Sequence, residues 1–162
     1  VDGAAIRPAG PGDAATLARL RYAFRAELGQ ASEPLEAFLA RATPWMAVRL
    51  QPGSSWRAWL AEAADGAAAG CAWLQFIEKV PNPGDEEELH GYVTSMYVVP
   101  AARGAGIGAA LLEAALGACR DAGVDSVLLW PTSRSRPLYG RFGFGQPDDL
   151  LELRLGTGRR LP

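Results

Sequence analysis

The hexapeptide Arg103-Gly104-Ala105-Gly106-Ile107-Gly108 sets one permanent cation beside three glycines. It follows the apolar run 92–100 and precedes a segment, 109–123, whose apolar residues recur at helical spacing. At a strand-to-helix junction the first amides of the helix lack intrahelical partners, and the helix dipole adds partial positive charge. Glycine lets an anion come close to those amides, and phosphate is the anion such a turn suits. Arg103 can pair with phosphate oxygens. The competing reading is a tight glycine-rich turn with no ligand. A P-loop is excluded, because no lysine and hydroxyl pair follows the glycines. A dinucleotide turn is met letter for letter by Gly104, Gly106 and Ala109, but its surroundings fail. Three residues separate Pro100 from the first glycine, and the next apolar segment, 125–131, ends without the acidic residue that would hold a ribose. The remaining pattern is R-x-x-G-x-G.

Other residues could carry protons or charge. Tyr139 lies in Leu138-Tyr139-Gly140-Arg141-Phe142-Gly143-Phe144. Taken alone it reads as a core aromatic with its hydroxyl at the surface, and Phe142 and Phe144 read as core. His90 is the one histidine of the chain and precedes the strand that leads to the glycines. It is a candidate proton relay near neutral pH, against a purely structural role. Glu78 and Glu88 compete with it as general base. The run Asp85-Glu86-Glu87-Glu88 could draw in a cationic amine, or could be a solvated loop. Trp45, Trp56, Trp59, Trp73 and Trp130 read mostly as core, with one or two available to line an acceptor cleft.

The elements that must position these groups follow from periodicity. A short strand near residues 4–8 leads to a turn. Asp13 is placed to cap a helix carrying Leu17, Leu20, Phe24 and Leu28, with Gly29 as its stop. A second helix begins near 32–34, and Pro44 is expected to end or kink it. Asp65-Gly66 joins two strands as a hairpin. Residues 89–99 form a long strand and 107–122 a helix, with Ile107, Leu111, Leu112, Ala115 and Cys119 facing inward. A short buried strand, a short helix ending at Gly143 and an alternating terminal strand over 150–155 complete the order β-α-α-β-β-β-α-β-α-β. With 162 residues, no repeat and no linker, this predicts one α/β (α+β) domain spanning 1–162.

Sixteen basic against eighteen acidic residues leave a net charge of −2, which argues against bulk nucleic-acid binding. No apolar run is long enough to span a membrane, and no signal-peptide pattern opens the sequence. Cys71 and Cys119 sit in apolar segments and read as buried free thiols, so a reducing cytoplasmic location is expected.

From Met96 to Phe144 the chain resembles the GNAT superfamily of N-acetyltransferases. R-x-x-G-x-G followed about thirty residues later by the Tyr139 segment is the specific part, and the preceding strand order fits as well. The resemblance implies a mixed, mostly antiparallel central sheet with helices on both faces. It implies acetyl-CoA as co-substrate, no metal, and direct transfer of acetyl to an amine of a small molecule or peptide. The loop residues Arg103, Gly104, Ala105, Gly106, Ile107, Gly108 and Ala109 would take the pyrophosphate. Met96, Tyr97 and Val98 would offer backbone groups to the acetyl and pantetheine arm, and Tyr139 would protonate the leaving thiolate. Thr132 stands where many relatives carry an asparagine that contacts the pantetheine arm, and a helix-capping role competes with that contact. No nucleic acid or membrane is expected as partner; a homodimer is a possible assembly. The alternative on the same fold is a non-catalytic acyl-CoA-binding or regulatory module.

Overall fold

The computed structural model describes residues 4–85, 88–153 and 155–156, which fall into two compact units dividing after Leu129. In the first, a five-stranded sheet runs β1 (Ala5–Pro8), β2 (Trp56–Glu62), β3 (Ala68–Glu78), β4 (Leu89–Val98) and β5 (Ser126–Leu128), in that spatial order. Neighbours are antiparallel except β4 and β5, which are parallel. The fold is mixed α/β with a mostly antiparallel open sheet, as expected. The β2–β3 hairpin turns at Asp65-Gly66, where the Asp65 carboxylate accepts from the Ala67 amide at 3.0 Å.

Helices α1 (Ala14–Glu27) and α2 (Leu35–Arg49) cover one face, and α3 (Ile107–Asp121) covers the other. Side chains of β3 alternate between them. Trp73 meets Trp45 of α2, and Cys71 lies opposite Tyr97, whose ring packs on Phe24 of α1 at 5.5 Å. Leu74 and Gly70 face α3. A Cβ at Gly70 would lie 2.6 Å from the Tyr97 carbonyl and 3.3 Å from Leu111, so the close packing there requires glycine. Leu17, Leu60, Leu74, Leu111 and Leu112 are fully buried. All five inward residues read for α3 are buried.

Three expectations fail locally. Pro44 neither ends nor interrupts α2, which runs on to Arg49. The burial of Leu39, Ala42 and Met46 along one side holds the helix together across a missing N–H. Asp13 does not cap α1. Its carboxylate accepts two hydrogen bonds from Arg7, at 2.8 and 2.9 Å, and one from the Gly10 amide at 2.8 Å. Residues 150–153 and 155 form no strand, and Arg154 lies outside the described residues. Leu150, Leu151, Leu153 and Leu155 are all exposed. Alternation sets which face a strand would bury, but a strand also needs a partner for its backbone groups, and no ladder reaches this segment.

The second unit contains α4 (Arg136–Arg141).

Candidate active site

β4 carries an irregularity that shapes everything around it. Cys71 pairs with Tyr97, but Trp73 pairs with Thr94, so β4 has one residue more than β3 across this interval. Ser95, at φ +50°, absorbs it as a β-bulge. The bulge swaps faces: Tyr92 and Thr94 before it share the α1/α2 side with Tyr97 after it. It also coincides with a parting of strands. β5 pairs with β4 only at His90, Gly91 and Tyr92, while β4 continues to Val98. Among the described residues, the last six of β4 therefore have no strand on their outer edge. The Val99 amide donates to Ala69 at 2.9 Å towards β3, so by alternation the backbone groups of Val98 face the open edge. Those of Met96, two residues back, face the same way.

That edge leads into the glycine turn. Gly104 and Gly106 have φ of +83° and +78°, and a Cβ on either would meet nothing within 4 Å. Glycine is needed here for backbone conformation, and the space above the turn is open. The first hydrogen bond of α3 runs from the Ala110 amide to the Gly106 carbonyl at 3.0 Å, so the amides of Ile107, Gly108 and Ala109 lie ahead of the helical ladder. Arg103 spans the two features. Its Nε donates to the Val98 carbonyl at 2.9 Å, its Nη2 pairs with Glu27 at 2.6 Å, and its guanidinium lies 5.7 Å from the Tyr97 ring centre.

Beside the bulge, on the α1/α2 side, is a cavity of about 260 Å³. Trp45, Trp56 and Trp73 form its aromatic wall, with ring centres 5.6 to 6.4 Å apart. Tyr92, Thr94 and Ser95 of β4 line another side, and Arg21 and Met46 come from the helices. Trp59, by contrast, is a core residue, and Trp130 is exposed. Sequence reasoning missed Arg21, Thr94 and Ser95. Arg21 sits in the polar pattern of α1, and a bulge at Ser95 leaves no mark in the residue types.

The structure does not bring His90 to this region. His90 is the second residue of β4, and Met96 lies six residues, or about 20 Å, further along the strand. Its Nδ1 is 2.8 Å from the Ser126 hydroxyl and 4.0 Å from the Asp125 carboxylate, which also binds Lys79 at 3.1 Å. Glu78 pairs with Leu89 at that same end of β4, and Glu88 directly precedes the strand. Glu86 and Glu87 lie outside the described residues.

In the second unit, Thr132 and Ser135 bond reciprocally at the start of α4. The Ser135 hydroxyl accepts from the Thr132 amide at 2.9 Å, and the Thr132 hydroxyl accepts from the Ser135 amide at 3.2 Å. Tyr139 follows one turn later, edge-on to Phe144 at 5.7 Å. Burial pushes its phenol pKa up, and a hydrogen bond with the Ser135 side chain opposes that shift.

The model of the acetyltransferase (GNAT) family matches residues 20–144, which is most of the chain. The protein belongs to the GNAT family. A curated aminoglycoside N(6')-acetyltransferase type 1 of Stenotrophomonas maltophilia is 35% identical over 118 residues, covering 73% of this chain and 69% of that protein. A predicted acetyltransferase of Clostridium acetobutylicum, solved with acetyl-CoA, aligns with a TM-score of 0.78 and 25% identity over 94% of this chain and 97% of its own. A GCN5-related N-acetyltransferase of Ralstonia eutropha JMP134 aligns with a TM-score of 0.74 and 28% identity, over 95% and 100%. This GNAT protein is accordingly an acyltransferase that moves an acetyl group to an amine, and its family uses acetyl-CoA as the donor. Among the described residues no helix is long and apolar enough to cross a membrane, and no group of three or more His, Cys, Asp or Glu could hold a metal ion.

Proposed function

We propose that this chain acetylates a small-molecule amine with acetyl-CoA held along the open edge of β4 and in the turn before α3. The observation that carries this reading is the parting of β4 from β5, which exposes Met96 and Val98 on an edge running straight into Gly104 and Gly106. An extended arm of amides can add to such an edge as a strand would. The amides at the start of α3 suit the pyrophosphate, with Gly104, Ala105, Gly106, Ile107, Gly108 and Ala109 forming the cradle. Arg103, which binds Val98 and Glu27, would give its guanidinium to the pyrophosphate.

In the transfer, a neutral amine attacks the thioester carbonyl, the new C–N bond forms and the C–S bond breaks. A backbone amide on the β4 edge polarises the carbonyl oxygen. Tyr139 gives its phenolic proton to the departing thiolate; its raised pKa keeps it protonated at neutral pH. The attacking nitrogen loses its proton to solvent. His90, at the far end of β4, holds the start of β4 to Ser126. Thr132 anchors the start of α4 through Ser135.

The match across 20–144 runs through both compact units and supports reading 1–162 as one N-acetyltransferase domain. Two buried free cysteines, Cys71 and Cys119, suit a reducing cytoplasm, and burial pushes the Cys71 thiol up to about 12, beyond reactive use. Calorimetric titration with CoA tests the cradle. Arg103→Ala should weaken binding by roughly 10–200-fold, the worth of a charged hydrogen bond. Gly106→Val should weaken it further while the protein stays folded. Unchanged affinity in both variants would place the cofactor elsewhere.

A further inference from the structure

The cavity beside the bulge holds hydrogen-bond donors and a cation that no polar or acidic group among the described residues pairs with. Arg21 makes no ion pair and no hydrogen bond with any described residue; its guanidinium lies over the Phe24 ring at 5.7 Å. Burial disfavours its charge, with Arg25 adding repulsion, yet an arginine so placed stays protonated. The indole N–H of Trp73 is buried without an acceptor, and the Ser95 hydroxyl is buried without a partner. All three residues line the one cavity. Buried polar groups are nearly always paired, so two such groups converging on one space beside the half-buried Arg21 guanidinium call for a common partner. A guanidinium fork, an indole N–H and a hydroxyl can all donate, which suits an oxyanion. Among the described residues no carboxylate lines the cavity to attract an ammonium group. The Trp45, Trp56 and Trp73 rings, steeply inclined to one another, supply an apolar aromatic wall beside these donors.

We infer that the acceptor amine carries a carboxylate on an aromatic or other apolar body, and that Arg21, Trp73 and Ser95 hold that carboxylate. This deepens the proposed acetyl transfer and rests on it for the position of the thioester beside the bulge. The volume suits a compact amino carboxylate; ligand pockets commonly run to about 300–1,000 Å³. A polycationic aminoglycoside would set ammonium groups against the half-buried Arg21 guanidinium, with no carboxylate among the described lining residues to receive them. The S. maltophilia relative therefore marks the family and the reaction, while this cavity selects a different class of amine.

Two paired probes test the inference. The first pair, phenylacetate and phenylacetamide, has no amine, and its binding is read by calorimetry on the intact protein. Phenylacetate should bind at least about tenfold more tightly, the scale of one charged hydrogen bond. Arg21→Gln should abolish that preference, Arg21→Lys should restore part of it, and Trp73→Phe should weaken phenylacetate more than the amide. Affinity for CoA should be the same in wild type and Arg21→Gln, which also shows that the variant is folded. The second pair, 4-(aminomethyl)benzoate and 4-(aminomethyl)benzamide, is read by thiol release from acetyl-CoA, with kanamycin as the polycation. The benzoate should be favoured in kcat/KM, and that advantage should vanish in Arg21→Gln. Equal binding of phenylacetate and its amide, no binding of phenylacetate, or a preference surviving Arg21→Gln overturns the inference. Turnover of kanamycin unaffected by Arg21→Gln overturns it while leaving acetyl transfer intact. Loss of CoA binding in wild type would instead defeat the cofactor site and leave the anion preference standing.

Discussion

In the proposed mechanism, the chemistry of the leaving group turns on Tyr139. A phenol normally titrates near ~10, and burial moves this one higher, so it holds its proton throughout the neutral range. Tyr139→Phe keeps the ring against Phe144 and removes only the donor. Melting temperature and CoA affinity should survive, while kcat falls by ~10²–10⁴, the usual worth of one general acid. The loss should shrink with an activated thioester whose thiol is more acidic, since that leaving group needs less help. A fall of less than about threefold with acetyl-CoA, well short of that range, would make Tyr139 a packing residue. Its neighbourhood was legible as letters, because Leu138-Tyr139 and Gly143-Phe144 mark a short helix and its stop. Arg21 was not legible. An arginine among the polar positions of α1 reads as solvent-facing, and only the tertiary arrangement of three tryptophans and a bulge makes it a half-buried cation with no counterion among the described residues.

At the level of elements, local rules worked where they concerned one surface and failed where a distant partner decided. The buried side of α3 follows directly from its spacing, because a helix has to cover the sheet along one stripe. The end of the second helix does not follow from Pro44, because packing along α2 outweighs one missing hydrogen bond. The bulge at Ser95 was invisible for a related reason: it exists only relative to β3. Pro44 yields a direct test. Pro44→Ala restores an N–H for the Ala40 carbonyl and removes the ring clash at an exposed position. Stability should rise on the order of 1–3 kcal/mol, short of or equal to the usual interior penalty of proline. Urea denaturation of the two proteins measures it. If the midpoint does not move, α2 has already relaxed around the ring and the proline carries no residual cost.

For the molecule as a whole, one charged cluster ties the edge of the sheet to the first helix. Arg7 of β1 donates to both oxygens of Asp13, just ahead of α1, and at 2.7 Å to Glu62 at the end of β2. The Arg7 hydrogen bonds hold both carboxyls below their ordinary range, with the Gly10 amide assisting at Asp13. A carboxyl with a depressed folded pKa stabilises the native state above its unfolded pKa, near ~4, and that contribution is lost as pH falls through the folded value. The protein should therefore lose stability on acidification from about pH 5 downwards. At pH 7, Asp13→Asn should cost about 0.5–1 kcal/mol, since the pair is partly exposed and screened by solvent. The gap between wild type and variant should close as the wild-type carboxyl protonates. Thermal melts at intervals from pH 7 to pH 3 read this directly. Converging curves locate acid sensitivity in the Arg7 cluster; parallel curves would mean that Asp13 has the same proton affinity folded and unfolded, and that the bidentate contact does nothing for stability.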